Sequence, residues 1–415
     1  MISYSRFVLP NGLRVIHHFD PDSTVVILNT LFNVGARDES PDKTGFAHLF
    51  EHLMFGGSKN VVSYDKAVEH AGGSNNAFTN NEYTNYYITV PSENAETAFW
   101  LESDRMFQLN INTKTLDVQR GVVVEEFRQR CHNAPFGMLW HHLRGLLYQN
   151  SPYRWPTIGE DISHIENATL EDVKAFYKKH YHPANAVLCV AGQITLEETR
   201  ELCKKWYVDI EPTGAVNSNE YEKDPTNTGR RFMETEDLSP NPAVFLVWKG
   251  PEFNNPDSAA LELFADLLGG SEISPIYTRW VKDNPVFNDA ACFYIRGVGE
   301  GVFVLYGVLN EEQNHQHGEA CLTQTMKDAL GGTCFTERHM ERVKNKATSS
   351  LLFEKASLIN RAQKLCFFEN TGNLDDIITE ESTYRSINLH SMLKAAATTI
   401  EPENASVLYY HPKSS

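Results

Sequence analysis

The chain has 415 residues, a net charge of −17 and seven cysteines. This length exceeds one ordinary hydrophobic core and favours two domains of about 200 residues each. The acidic balance, with no cluster of basic residues, argues against nucleic-acid binding, and no apolar run approaches the roughly 18 residues that a membrane span needs.

Cysteine usage and the first residues predict the compartment. The seven cysteines are scattered and none forms a C-x-x-C pair, which argues against a disulfide framework and against a second zinc site. The opening residues MISYSRFVLP lack the basic region and apolar segment of a signal peptide. We therefore expect a cytoplasmic protein, with the periplasm as the alternative if a leader has been removed.

The first predicted elements are strands. Apolar and β-branched residues dominate between Arg14 and Gly35, with strands predicted at Leu13–Val15 and Thr24–Leu28. The segment GFAHLFEHLMFGG (residues 45–57) follows. Its apolar residues can pack one face of a helix, and Gly56-Gly57 provides a natural end, so the segment is predicted to be helical.

A metal-binding pattern lies on this helix. Residues four apart share one helix face, which places His48 beside His52, with the Glu51 carboxylate next to them. Two neutral imidazoles at this spacing bind zinc well, and an unligated carboxylate can take a proton from a metal-bound water. Most zinc peptidases have the glutamate directly after the first histidine. Here it directly precedes the second, and this H-x-x-E-H order is the inverzincin variant of the motif. A catalytic zinc needs a third protein ligand, which this motif does not supply.

Further elements follow in chain order. Helices are predicted near Ser63–His70, Ser92–Phe107, Leu170–His180 and Leu196–Tyr207, and strands through Tyr86–Val90 and near Val187–Val190. Between them, Leu116–Arg128 reads as a helix with an apolar stripe and offers a carboxylate as the third ligand. Glu125 and Glu126 are adjacent there, so both cannot face the same way.

The second half repeats a similar order without the metal motif. A stretch rich in Pro, Gly, Asn and acids, Glu211–Gly229, predicts an interdomain linker at 213–230, between domains 1–212 and 231–415. Beyond it, strands are predicted at Pro242–Trp248, Cys292–Ile295 and Val302–Val308, and a helix at Asp257–Leu268. The predicted fold class is α+β, with two tandem, structurally similar α/β sandwich domains.

These motifs resemble the pitrilysin-type (inverzincin) zinc metallopeptidases, which include the mitochondrial processing peptidase and small bacterial relatives. HLFEH is followed about seventy residues later by RGVVVEEFR, as in that family. Four other segments also match: Phe7–Val15, Val34–Glu39, Gly72–Tyr87 and Tyr181–Gly192. The match is strong in the first half and looser in the second.

The resemblance implies roles for individual residues. It makes Glu126 the third ligand of one zinc ion held with His48 and His52, with Glu125 as the fallback. Glu51 would be the general base in peptide hydrolysis. The remaining family site is an edge strand to which the substrate adds as a further strand, and its residues here would be Asn76, Ala77 and Phe78.

Two positions depart from the family pattern. Gln119 stands seven residues before Glu126, where the family often has a second glutamate. Active members also carry an arginine and a tyrosine, seven apart, in the second half. Here Val281 aligns best with the arginine, and Phe287 or Asn288 stands near the tyrosine, so we expect this substrate-binding pair to be missing.

Other histidines are weaker ligand candidates. His17-His18, on a predicted strand, and His141-His142 are adjacent pairs whose members point apart. His315 and His317 lie in a polar turn, where we expect them to be solvated.

The predicted function is a zinc endopeptidase that hydrolyses peptides or unfolded segments inside a clam-shell chamber. The family's chamber contains four such domains and this chain supplies two, so a dimer is implied. We expect a homologous partner that carries the Arg/Tyr pair, with a homodimer as the alternative. The competing hypothesis is a non-catalytic zinc-binding scaffold or peptide-binding subunit of a larger complex.

Overall fold

A computed structural model describes residues 2–218, 220–224 and 229–413. The strands are β1 (Ser5–Val8), β2 (Arg14–Phe19), β3 (Val25–Phe32), β4 (Ser74–Thr79), β5 (Thr84–Pro91), β6 (Ala186–Gly192), β7 (Phe232–Asp237), β8 (Ala243–Glu252), β9 (Phe287–Ile295), β10 (Glu300–Leu309) and β11 (Ser406–Pro412). The helices are α1 (Phe46–Leu53), α2 (Tyr64–His70), α3 (Ala95–Phe107), α4 (Thr113–Phe127), α5 (Leu139–Leu147), α6 (Ile162–Glu166), α7 (Leu170–His180), α8 (Leu196–Trp206), α9 (Pro256–Gly269), α10 (Pro275–Tyr277), α11 (His315–Leu330), α12 (Glu337–Ala356), α13 (Leu358–Thr371), α14 (Asp376–Ser386) and α15 (Leu389–Thr399). No helix among these residues is long and apolar enough to cross a membrane.

The chain folds into two compact units, each assembled from three segments. The first unit contains Met1–Arg128, Trp155–Glu220 and Leu352–Thr379, and the second contains Gln129–Arg154, Tyr221–Leu351 and Glu380–Ser415. The division after Glu220 falls within the predicted linker 213–230, of which residue 219 and residues 225–228 lie outside the described ranges. The boundaries 1–212 and 231–415 stay a prediction about sequence domains.

The two units contain the same sheet topology. The first sheet has the order β1-β2-β6-β3-β5-β4 and the second has the order β7-β11-β8-β10-β9. Apart from the additional edge strand β1, both sheets arrange their strands, numbered within each unit, as 1-5-2-4-3. In both, the first and last strands of the set pair in parallel and the other pairs are antiparallel. The predicted fold class of two similar α/β units is therefore confirmed.

In the first unit, alternating residues of each strand face different layers. Val26, Leu28 and Phe32 of β3 belong to the main core with residues of α1, α3, α4 and α7, whereas Ile27 and Leu31 are buried outside that cluster. The opposite face of the sheet is covered by α13, whose Cys366 thiol lies 3.4 Å from the Asn29 carbonyl oxygen. This helix comes from the far end of the sequence, which the predicted division did not anticipate.

The second unit has a core on each face of its sheet. Residues of α9, α11, α12 and α15 pack on one face. The other face packs against α5, from before the predicted linker, through Leu143, Leu146 and Leu147. His315 is also buried in the second unit, and the expectation that it is solvated was wrong. It is the first residue of α11, is 9% exposed, and contacts the Tyr410 carbonyl oxygen through Nε2 at 2.7 Å.

Candidate metal centre

The helix that bears the H-x-x-E-H motif is anchored at its N-terminus by a buried acid. α1 follows Gly45, whose φ of +86° favours glycine. Both carboxylate oxygens of Glu39 accept backbone N–H bonds at this end, from Gly45 at 2.9 Å and from Ala47 at 2.8 Å. Burial raises the pKa of Glu39 well above its usual value, and the two N–H donors oppose that shift. The sequence showed only that Glu39 lies in the loop before the helix.

A buried charged cluster on α3 holds the other end of α1. The Asp104 carboxylate accepts from the Ser58 hydroxyl and from the Asn60 side chain, just beyond the helix. Arg105 pairs with Glu102 at 2.7 Å, and its guanidinium carbon lies 4.6 Å from the centre of the Tyr86 ring. The Tyr86 hydroxyl in turn donates to the Phe50 carbonyl oxygen of α1 at 3.2 Å. The motif therefore lies on a short helix restrained at both ends.

His48, His52 and Glu126 meet between α1 and α4. The Nε2 atoms of the two histidines are 3.4 Å apart. The Glu126 carboxylate lies 3.6 Å from the Nε2 atom of His48 and 3.3 Å from that of His52. Each residue offers one ligand atom, and all of these atoms lie within 4.8 Å of one another.

These separations are compatible with a tetrahedral zinc site. Ligand atoms about 2.0–2.2 Å from a tetrahedral zinc lie about 3.3–3.6 Å from each other. The two Nε2 atoms have such a separation, and each is also 3.3–3.6 Å from one oxygen of the Glu126 carboxylate, His48 from Oε1 and His52 from Oε2. Two imidazole nitrogens and a carboxylate oxygen converging this closely need a shared cation or an added proton to offset their negative partial charges. Two histidines and one glutamate are also the donor set of several catalytic zinc sites, which leave the fourth position open.

The structure distinguishes the two adjacent acids of α4. Glu126 is half-buried in the cluster, whereas the side chain of Glu125 is exposed and does not belong to it. Gln119, two turns earlier on α4, is half-buried. Of the two carboxylates left open by the residue pattern, Glu126 is thus the one positioned to hold a metal.

Glu51, the predicted base, contacts the end of strand β4. Its Oε2 atom accepts a hydrogen bond of 2.7 Å from the Thr79 hydroxyl. Glu51 lies next to His52 on α1 and is half-buried. In the sequence, Thr79 lies within the family-matching segment Gly72–Tyr87 and has no assigned role.

Asn76, Ala77 and Phe78 lie on an edge strand. β4 is the last strand of its sheet, and these three residues pair with Tyr87, Tyr86 and Asn85 of β5. The Ala77 N–H donates to the side-chain oxygen of its neighbour Asn76 at 2.8 Å. The Phe78 ring packs against Tyr83, 5.9 Å between centres. A strand with one unpaired edge is where a peptide can add.

Side chains of the segment matched to the family's Arg/Tyr pair make contacts within the second unit. Val281 packs against the second unit's core, and Phe287 is 1% exposed. Asn288 donates to the Leu309 carbonyl oxygen at 3.1 Å, and Arg279 pairs with Asp328 at 2.7 Å. These contacts agree with the expected loss of the pair, which stays a prediction.

Each of the other two histidine pairs has a member in contact with an oxygen atom elsewhere in the chain. His17 Nε2 contacts the Ile194 carbonyl oxygen at 2.8 Å, and His18 Nδ1 contacts that of Ser3 at 2.7 Å. His142 Nδ1 lies 2.9 Å from the Tyr410 hydroxyl. Among the described residues, only His48, His52 and Glu126 group as a potential metal site.

Comparison with known proteins places this site in a family context. The profile described as "Insulinase (Peptidase family M16)" matches residues 14–161, and the one described as "Peptidase M16 inactive domain" matches residues 167–347. The zinc protease PqqE of Helicobacter pylori is 32% identical over 310 residues, which are 72% of this chain and 69% of the relative.

Two further comparisons extend over more of the chain. A protein named as a probable mitochondrial-processing peptidase subunit beta, from Arabidopsis thaliana, is 25% identical over 83% of this chain and 66% of its own length. Among solved structures, a protease from Helicobacter pylori matches with a TM-score of 0.92 at 25% identity, covering 99% of this chain and all of that one.

Proposed function

The chain belongs to the M16 peptidase family, and on that basis we propose that it is a zinc-dependent endopeptidase acting on peptides or unfolded segments. One observation carries this proposal: His48, His52 and Glu126 converge at separations compatible with a tetrahedral zinc site, and the helix that bears the two histidines also bears Glu51. The relative named as a zinc protease and the family match support the same activity. We expect one zinc ion per chain.

The chemistry follows from the residues around the centre. A zinc ion bound here would supply Lewis acidity, which makes water a nucleophile at neutral pH and polarises a peptide carbonyl. Glu51 is not part of the ligand cluster, and we assign its carboxylate the role of general base. It would take the proton of the attacking water and deliver it to the leaving amine nitrogen.

Substrate would be held mainly by its backbone. Strand β4 lies at a sheet edge and joins the zinc helix through the contact between Thr79 and Glu51. A peptide added to β4 would pair main chain to main chain along Asn76, Ala77 and Phe78. This arrangement would bind extended chains with little demand on their sequence. A closed chamber would in addition exclude folded proteins.

We further propose that the active assembly is a dimer. The chain contains two α/β units, half of the four that the family's chamber contains. The expected loss of the Arg/Tyr pair favours a homologous partner that supplies it, and the relative named as subunit beta is itself designated a subunit. A homodimer is the alternative, and the cytoplasm stays the expected compartment.

The test measures zinc content and cleavage of a quenched fluorescent peptide library. Wild type is compared with Glu51→Gln, each alone and mixed with a homologous chain from the same source. Stoichiometric zinc in both proteins, with cleavage lost only in Glu51→Gln, supports the peptidase. Cleavage that needs the second chain supports the heterodimer.

The alternative is a non-catalytic zinc-binding scaffold or peptide-binding subunit. The match of residues 167–347 to an inactive-domain profile favours this role for the second half of the chain. Stoichiometric zinc, tight peptide binding and no cleavage in any mixture would support this alternative and contradict the peptidase proposal.

A further inference from the structure

Thr79 connects two parts of the candidate site. It is the last residue of β4, the edge strand, and its hydroxyl donates to Glu51 Oε2 on α1 at 2.7 Å. Glu51 is the only acid of the H-x-x-E-H motif, so this hydroxyl contacts the predicted base directly. No role for Thr79 follows from the zinc ligands alone.

The hydrogen-bond pattern of β4 places the Thr79 backbone at the unpaired edge. Asn80, just beyond the strand, donates its N–H to the Tyr83 carbonyl oxygen at 3.0 Å, and Thr79 lies opposite Thr84. In an antiparallel ladder, bonded and non-bonded pairs alternate. The N–H and C=O of Ala77 and Thr79 therefore face away from β5. The Ala77 N–H agrees, because it donates to the Asn76 side chain.

The donor and the acceptor of the hydrogen bond between Thr79 and Glu51 are fixed by their chemistry. An ionised carboxylate only accepts hydrogen bonds, so the hydroxyl proton of Thr79 must point at Glu51. Threonine is β-branched, which restricts its side-chain rotation and keeps the hydroxyl aimed. The hydrogen bond to Oε2 restrains the carboxylate that would receive the proton of the attacking water. The residue that ends the substrate-binding edge thus also sets the orientation of the base.

We propose that Thr79 is a positioning residue that fixes the Glu51 carboxylate relative to a peptide bound on β4. The proposal rests on the peptidase function proposed above and adds a specific determinant of its rate. Thr79 bonds to Glu51, which is not one of the proposed ligands, so we expect its removal to leave metal binding intact. It acts on proton transfer, so its loss lowers kcat rather than substrate affinity.

Two substitutions separate the hydroxyl from the shape of the side chain. Thr79→Val keeps the branched shape and removes the hydroxyl, whereas Thr79→Ser keeps the hydroxyl. We expect Thr79→Val to lower kcat about tenfold with KM changed less than about twofold, which is the pattern of an interaction made in the transition state. Thr79→Ser is expected to retain most of the wild-type kcat. Zinc content, measured by mass spectrometry, should equal that of wild type in both variants.

A double-mutant cycle tests whether Thr79 acts through Glu51. Glu51→Asp shortens the side chain by one methylene and withdraws it from Thr79, so adding Thr79→Val to this variant should change kcat less than about twofold. A full tenfold loss in that background would overturn the proposal, as would unchanged kcat in Thr79→Val or a raised KM at constant kcat. These results leave the peptidase assignment standing. A zinc-loaded wild type that cleaves nothing overturns that assignment, and this proposal with it.

Discussion

The choice between Glu125 and Glu126 gives a matched test of the metal centre. The two residues are adjacent on α4 and chemically identical, but only Glu126 lies within 3.3–3.6 Å of the histidine nitrogens. Glu126→Gln preserves the shape of the side chain and removes the anionic ligand. Glu125→Gln removes the same charge from an exposed neighbouring side chain.

We expect the two substitutions to differ greatly in their effect on zinc affinity. Substitution of a group that only supports a metal ligand typically costs 10- to 100-fold in metal affinity. Loss of a direct anionic ligand should therefore weaken zinc binding by more than about 100-fold, or about 2.7 kcal/mol. For Glu125→Gln we expect a few-fold change at most, because water and salt screen an exposed charge.

Competition between the apo-protein and a chromogenic chelator measures the two zinc dissociation constants. Circular dichroism spectra of the apo-proteins check that both variants fold. Equal weakening by the two substitutions, or a larger effect of Glu125→Gln, would refute the assignment of Glu126 as ligand.

Three further predictions concern stability and substrate binding. Burial raises the pKa of Asp38 to about 6, although Arg37 and the Gly35 N–H oppose the shift; the folded state then holds this proton to higher pH than the unfolded chain. The stability that this group contributes is present below about pH 4 and falls by about 3 kcal/mol as the pH rises to about 6. Asp38→Asn should therefore flatten this part of the pH profile of the free energy of unfolding in urea. Identical slopes for wild type and variant would contradict this prediction. Arg105→Met should lower the free energy of unfolding in urea by about 3–5 kcal/mol, because Glu102 is left as a buried charge without its cationic partner. Adding Glu102→Leu should recover part of this loss. A further loss of stability in the double variant would count against the unpaired charge as the cause. In a series of peptides that each carry one backbone N-methyl group, kcat/KM should fall at every second position along the bound stretch, because strand addition uses alternate N–H groups. An equal effect at every position would argue against binding on β4.

Local sequence patterns were sufficient for most elements of the first unit. The predicted helix Leu170–His180 has the bounds observed for α7, and the strand predicted near Val187–Val190 is contained in β6. α7 has strong local signals, namely the Thr169 cap and the acids of its first turn. β6 is a continuous apolar run, typical of a strand buried on both faces.

The unit in which α5 and α13 pack could not be predicted from local sequence patterns. α5 and α13 each pack in the unit opposite to the one that their position in the sequence indicates. Their apolar faces indicate that they must be buried, but nothing local indicates against which sheet. His315 shows the same limit, because its partner is the carbonyl oxygen of Tyr410, 95 residues away.

In the candidate site, spacing identified the metal motif but not its supports. His48, Glu51 and His52 are related by helical geometry, which can be inferred without a structure. Glu39 contacts the start of α1 from the preceding loop through two hydrogen bonds, and Thr79 contacts the helix from a strand end through one. Such isolated contacts leave no periodic signal in the sequence. An acid a few residues before a helix start was the one available indication for Glu39.

We propose that this chain hydrolyses peptides with a bound zinc ion and with Glu51 as the base. The most direct measurement is peptide cleavage by zinc-loaded wild type and Glu51→Gln, with the zinc content of both determined on the same samples. We predict one zinc per chain in each protein and cleavage by wild type only. Equal cleavage by both proteins, or the absence of zinc from wild type purified without chelators, would contradict the proposed zinc peptidase activity.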